Sequence, residues 1–108
     1  MLRFHPERDK VWRLALVGSV CADQEFSNLE EELRRMSNDS RTLIVDITKL
    51  SEISNSGKVL LPHLFQMMKN NGFNRANLLA RKHQRHESKI FEDILDREFG
   101  PEGTISLE

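Results

Sequence analysis

Residues 42–47 read Thr-Leu-Ile-Val-Asp-Ile, a near-continuous run of β-branched and aliphatic side chains. Such a run reads as a buried strand, and it ends in a polar turn. A small polar knot follows shortly after it: Ser54, Asn55, Ser56 and Gly57. Directly beyond the knot, the apolar residues switch to helical spacing. Strand, polar loop and helix N-terminus in that order present side chains and free backbone N–H groups at one surface point. This stretch is the first place to look for function.

The flanking sequence adds strands and helices in alternation. Residues 2–5 form a weak strand, residues 6–10 a polar turn and residues 11–17 a better strand, which together predict a hairpin ended by Gly18 and Ser19. Residues 23–36 carry Phe26, Leu29, Leu33 and Met36 at helical spacing. Ser27 and Glu30 fit a capping box, with Asp23 as a rival cap one turn earlier. Glu30–Arg34 and Glu31–Arg35 are i,i+4 pairs in the favourable order. After a loop at 37–41 and the central strand, Val59, Leu60, Leu61, Leu64, Phe65, Met67 and Met68 make a broad apolar helix face, closed by Asn70, Asn71 and Gly72. Pro62 lies inside it and predicts a kink or a late start. Residues 75–80 read as a strand and 81–88 as a polar, basic stretch. Ile90, Phe91, Ile94 and Leu95 give a last helix, stopped by Gly100 and Pro101. Gly103–Leu107 is a closing strand or a frayed tail. The order β-β-α-β-α-β-α predicts an α/β fold, a mixed β-sheet with helices packed on it.

The 108 residues are expected to form one domain, 1–108, with Leu107 and Glu108 set aside as a tag remnant. Charged residues make up 31% of the chain and the net charge is −1, which gives no general drive toward nucleic acid or anionic membrane. No apolar run approaches a membrane span. The single cysteine, Cys21, excludes an internal disulfide and suits the cytoplasm. It is expected to be a small buried hydrophobe.

The order of elements and the knot resemble the STAS domain, the fold of bacterial anti-sigma factor antagonists and of the cytoplasmic tails of sulfate transporters. Leu14, Ala15, Leu16, Val17 and Gly18 match the family's strand ending in Gly, and residues 42–47 its central strand. Leu50–Ile53 leads to the switch loop, Ser54 to Gly57 stand for its Asp-Ser-Ser/Thr-Gly motif, and Val59, Leu60 and Leu61 for the start of the next helix. The resemblance spans residues 11–99. It implies a bacterial, non-catalytic regulatory module that docks on a kinase-type anti-sigma factor or related regulator through Ser54, Asn55, Ser56, Gly57 and Lys58. The sequence departs from the pattern at the centre. The usual phosphate acceptor is Asn55, which has no hydroxyl, and the family's Asp is Ser54. Ser56 and Ser54 remain as modifiable hydroxyls. An acidic residue that the family carries after its early strand is also missing, with Asp23 the nearest acid to Cys21.

Other residues carry weaker signals. Lys58 opposes the helix dipole at a cost of ~0.3–1 kcal/mol. A phosphate-loop reading of Gly57 and Lys58 fails on spacing, because Glu52 stands where a Gly is needed and Val59 where a hydroxyl is needed. Arg81, Lys82 and Arg85 form a basic cluster that reads first as a solvated loop leading into a helix. A second reading of the chain is a small-ligand sensor in which this cluster holds an anion, such as a nucleotide or lipid, beside the central loop if their strands are parallel. No aromatics interleave with it, which argues against nucleic acid. His83, His86 and Glu87 lack further ligands for a metal. Asp46 caps the loop or assists an anion site. No nucleophile–base pair is visible, so neither a catalytic set nor a cofactor is expected. A third reading is a structural subunit that forms a homodimer through the edge strand at residues 2–5.

Overall fold

The computed structural model describes residues 1–21 and 23–107. Among them, a five-stranded sheet runs in the order β1-β2-β4-β6-β7, from β1 (Leu2–Arg8), β2 (Val11–Leu16), β4 (Arg41–Asp46), β6 (Phe73–Ala80) and β7 (Gly103–Leu107). The β1–β2 ladder is antiparallel and the other three ladders are parallel. Two short strands, β3 (Gly18–Val20) and β5 (Leu50–Ile53), pair with each other in parallel. The helices are α1 (Gln24–Arg35), α2 (Asn55–Asn70) and α3 (Arg85–Phe99).

Burial alternates along every inner strand. Leu14 and Leu16 of β2, Leu43 and Val45 of β4, and Ala76, Leu78 and Ala80 of β6 are buried. Their neighbours Arg13, Ala15, Ile44, Asp46, Asn77 and Leu79 are only half-buried. The buried face packs against Phe26, Leu29 and Leu33 of α1, Leu61, Leu64, Phe65 and Met68 of α2, and Phe91, Ile94, Leu95 and Phe99 of α3. Phe65 meets Phe91 edge to face at 6.3 Å. The three helices thus share one side, and among the described residues the opposite side of the sheet carries no helix.

The expected α/β class is the observed one, with several local corrections. The polar turn placed at 6–10 is shorter, because β1 continues through Pro6 to Arg8 and only Asp9 and Lys10 turn. A sheet edge tolerates a residue without an N–H, and the register shifts between Pro6 and Arg8. Gly18 and Ser19, expected to end a strand, begin β3. At three and four residues, β3 and β5 are too short to show a period. Asp23 caps α1 by accepting from the Glu25 amide, so the capping box at Ser27 is not used. The pairs Glu30–Arg34 and Glu31–Arg35 form, each at 3.6 Å. α2 begins well before Pro62 and runs past it. The carbonyl that Pro62 leaves unpaired belongs to Lys58, an exposed residue, where water can serve it. β6 starts at Phe73, α3 starts at Arg85 inside the basic stretch, and the tail is a true strand, β7. Cys21 is exposed, not buried; its thiol lies 3.5 Å from the Asp23 carboxylate, whose hydrogen bond and charge push the thiol pKa up.

Gly72 joins α2 to β6 with φ +94°. A Cβ there would strike the backbone of Asp39. The Gly72 carbonyl also accepts from the Arg41 amide at 2.8 Å, which sets the start of the central strand. Gly72→Ala is therefore expected to lose about 1–3 kcal/mol from backbone strain alone, read as a lower urea midpoint at unchanged slope.

Candidate functional site

β5 ends at Ile53, and the chain turns into α2 through Ser54. The turn is fixed by four hydrogen bonds. The Ser54 amide donates to the Val20 carbonyl at 2.8 Å, which ties the loop to β3. Ser54 Oγ accepts from the Gly57 amide at 3.0 Å, and the Ser54 carbonyl accepts from the Lys58 amide at 3.0 Å. The Ser54 and Ser56 hydroxyls lie 3.0 Å apart and share a hydrogen bond. This is an N-cap satisfying orphan donors of the first turn.

Gly57 is buried beneath the turn. A Cβ on it would lie 2.9 Å from Ile53 Cγ2, 3.3 Å from Ser54 Oγ and 3.4 Å from the Val20 carbonyl. Close packing of helix on loop therefore selects glycine. Around this buried point, Asn55, Ser56, Lys58 and Val59 are exposed. Val59 was expected on the apolar face of α2, yet it is 73% exposed. Helix geometry gives the reason: Leu61, Leu64, Phe65 and Met68 follow i, i+3, i+4, i+7, and Val59 sits about 200° from Leu61. The first turn holds no acidic residue, and among the described residues Lys58 makes no ion pair within 4.0 Å. The N-terminus of α2 is thus an uncompensated positive end beside an exposed aliphatic side chain.

Arg81 and Lys82 lie on the turn from β6 into α3 and Arg85 opens α3, all exposed. β4 and β6 are parallel, so this turn and the end of the central strand share one end of the sheet. Among the described residues, no hydrogen bond or ion pair joins these three to Ser54, Asn55, Ser56 or Lys58. The turn is instead held by Gln84, a buried side chain without any signal in the sequence pattern. Its Nε2 donates to the carbonyls of Ile47 at 2.6 Å and Leu50 at 3.3 Å, and its Oε1 accepts from the Arg81 amide at 2.8 Å. Gln84 therefore links the end of β4, the start of β5 and the start of α3.

Asp46 does cap the loop after β4. Its Oδ1 accepts from the Thr48 amide at 2.9 Å and the Thr48 hydroxyl at 2.6 Å. Its Oδ2 accepts from Arg13 Nη1 at 2.7 Å, and Arg13 also holds Glu7 through two further hydrogen bonds. Burial raises the Asp46 pKa, but the Thr48 hydrogen bonds and Arg13 together outweigh it and leave the pKa below its ordinary value. The hydrogen bond from Arg13 does the same to Glu7. Opposite charges on two strands hint at this cluster in the sequence, but the register that joins them does not show there. His63 stands 3.9 Å from Glu30. Among the described residues, no three His, Cys, Asp or Glu side chains are grouped to hold a metal ion, and no helix is long and apolar enough to cross a membrane.

A mixed sheet with helices on one face and a capped loop leading from a short strand into α2 defines a SpoIIAA-like fold, the fold of STAS domains and anti-sigma factor antagonists. A crystal structure with this arrangement is that of a DUF3478-family protein with a SpoIIAA-like fold from Shewanella loihica. It superposes with a TM-score of 0.63 at 17% identity, over 100% of this chain and 84% of the other. No protein-family profile matches the chain, and no curated protein matches it.

Ser54→Ala removes the cap of α2 and is expected to lose about 1 kcal/mol of stability, measured by chemical denaturation. The acid limb tests Asp46. Its folded pKa is depressed, so its contribution is fully present above the unfolded value near 3.9. It fades as pH falls through the folded value. Asp46→Asn should lower stability at neutral pH by about 1–3 kcal/mol and flatten the decline below about pH 4.

Proposed function

We propose that this chain is a non-catalytic regulatory module of the anti-sigma factor antagonist type. It docks on a protein partner, a kinase-type anti-sigma factor or related regulator, through Asn55, Ser56, Lys58 and Val59, with Ser54 and Gly57 shaping the loop beneath them. The observation that carries this reading is the exposed rim around buried Gly57. A fixed turn displays a positive helix end and a cation next to Val59, a surface suited to a partner with acidic and apolar groups. Asn55 holds the position of the usual phosphate acceptor and keeps the loop in its unmodified charge state. Ser56 is the better modification site of the two serines. Its side chain is exposed, whereas Ser54 Oγ is committed to the cap.

Asn55→Asp imitates the charge of a phosphorylated loop. An acid at the first helical position favours the helix, so loss of binding will not come from loss of fold. The variant is expected to bind its partner at least about tenfold more weakly. Pull-down from lysate of the source cell, read by mass spectrometry, should recover a sigma-regulating ATPase-type kinase with the wild type and not with the variant. Identical recovery by both would remove this loop from the interface.

A further inference from the structure

The helix-free side of the sheet carries a second polar site, built from register alone. β1 pairs with β2 so that Arg3 faces Ala15 and His5 faces Arg13. β2 pairs with β4 so that Ala15 faces Asp46 and Arg13 faces Ile44. One row across this face therefore reads Arg3, Ala15, Asp46, and the next reads His5, Arg13, Ile44. Ala15 is the small member of its row, and the missing side-chain volume leaves a hollow of about 170 Å³ above it. Arg3, His5, Arg13, Asp46 and Lys49 surround the hollow, and among the described residues none from a helix lines it.

Charge in this ring is unbalanced. Arg13 is fixed by Glu7 and Asp46, and those contacts use three of its five N–H groups, leaving one on Nη1 and one on Nη2. Among the described residues, Asp46 is the one carboxylate in the lining, and it is occupied on both oxygens by Arg13 and Thr48. Arg3 and Lys49 make no ion pair within 4.0 Å among the described residues, and Arg3 Nε donates a hydrogen bond to Met1 Sδ at 3.1 Å. The hollow therefore gathers an oriented guanidinium, a second guanidinium, an ammonium and an imidazole around a floor of Ala15 and Val17.

We propose that this hollow binds the oxyanion head of a small molecule, a phosphate monoester or a carboxylate. Its volume is below the roughly 300 Å³ at which drug-sized pockets begin, so it takes a head group and leaves the rest of the ligand in solvent. Arg13 supplies geometry, because Glu7 and Asp46 hold its plane before the ligand arrives. Arg3 and Lys49 supply charge from the two flanking segments. The site is independent of the loop at Ser54 and of the cluster at Arg81.

The test is titration of the 15N-labelled protein with inorganic phosphate and, separately, with succinate, followed by NMR. Saturable shifts centred on the amides of Arg3, Ala15, Asp46 and Lys49 are expected, and the anion giving the tighter curve identifies the head group. The double variant R3A/K49A should weaken binding by about fivefold to tenfold. Ala15→Leu fills the hollow from the half-exposed face and should abolish binding while the spectrum stays that of a folded protein. Absence of saturation up to roughly 20 mM of either anion, unchanged binding in both variants, or shifts centred on Arg81 and Lys82 would each overturn the proposal.

Discussion

The central strand β4 is fixed between two parallel neighbours, and the rest of the molecule follows from that placement. Its alternation puts Leu43 and Val45 on the helical side and Thr42, Ile44 and Asp46 on the other. A one-residue slip would exchange those sets and expose the core. Both ends of the strand are pinned by backbone bonds to neighbouring segments. The Arg41 amide reaches Gly72, the Thr42 amide reaches Lys10, and the Ile47 amide reaches Leu79. Just past β4, Gln84 collects the carbonyls of Ile47 and Leu50. A buried carboxamide with all its heavy-atom partners in place specifies that junction, since an unmatched one costs about 1–3 kcal/mol.

From that junction the loop at Ser54 acquires its position. Leu50 begins β5, β5 is held by β3, and the Val20 carbonyl catches the Ser54 amide. The site is therefore mounted on the small second sheet and reaches the main sheet through β4 and Gln84. Its rigidity comes from backbone bonds and from Gly57, which lets α2 settle against Ile53 and Val20. What remains free to vary is the rim of Asn55, Lys58 and Val59, which face outward, while Ser56 is exposed but shares its hydroxyl with Ser54.

Much of this was legible in the residues. The unbroken aliphatic run at 42–47 and the helical spacing of Phe26, Leu29 and Leu33 are strong signals, and both match the elements they predict. The knot at Ser54 was legible because a cap, a glycine and an apolar period meet there. Short elements were not. β3 and β5 have no room for a period, and only tertiary pairing makes them strands. Asp23 prevailed over Ser27 as a cap because the helix begins one turn earlier than the capping box allows. Val59 shows that apolar type does not settle burial: its angle around the helix does. Cross-strand partners such as Arg13 and Asp46 stay hidden until register is known, since they stand far apart in sequence.

The pairing pattern also sets the time course of folding. β1 and β2 are joined by a turn of Asp9 and Lys10, so their ladder closes locally, on the microsecond scale of hairpins. Each parallel ladder must wait for a crossover. β2 and β4 are separated by α1, β4 and β6 by α2, and β6 and β7 by α3. Non-local pairing of this kind goes with slower folding across mixed α/β domains than across helical bundles. Within the main sheet the β1–β2 hairpin therefore has the shortest loop to close, and each parallel ladder must span a whole helix.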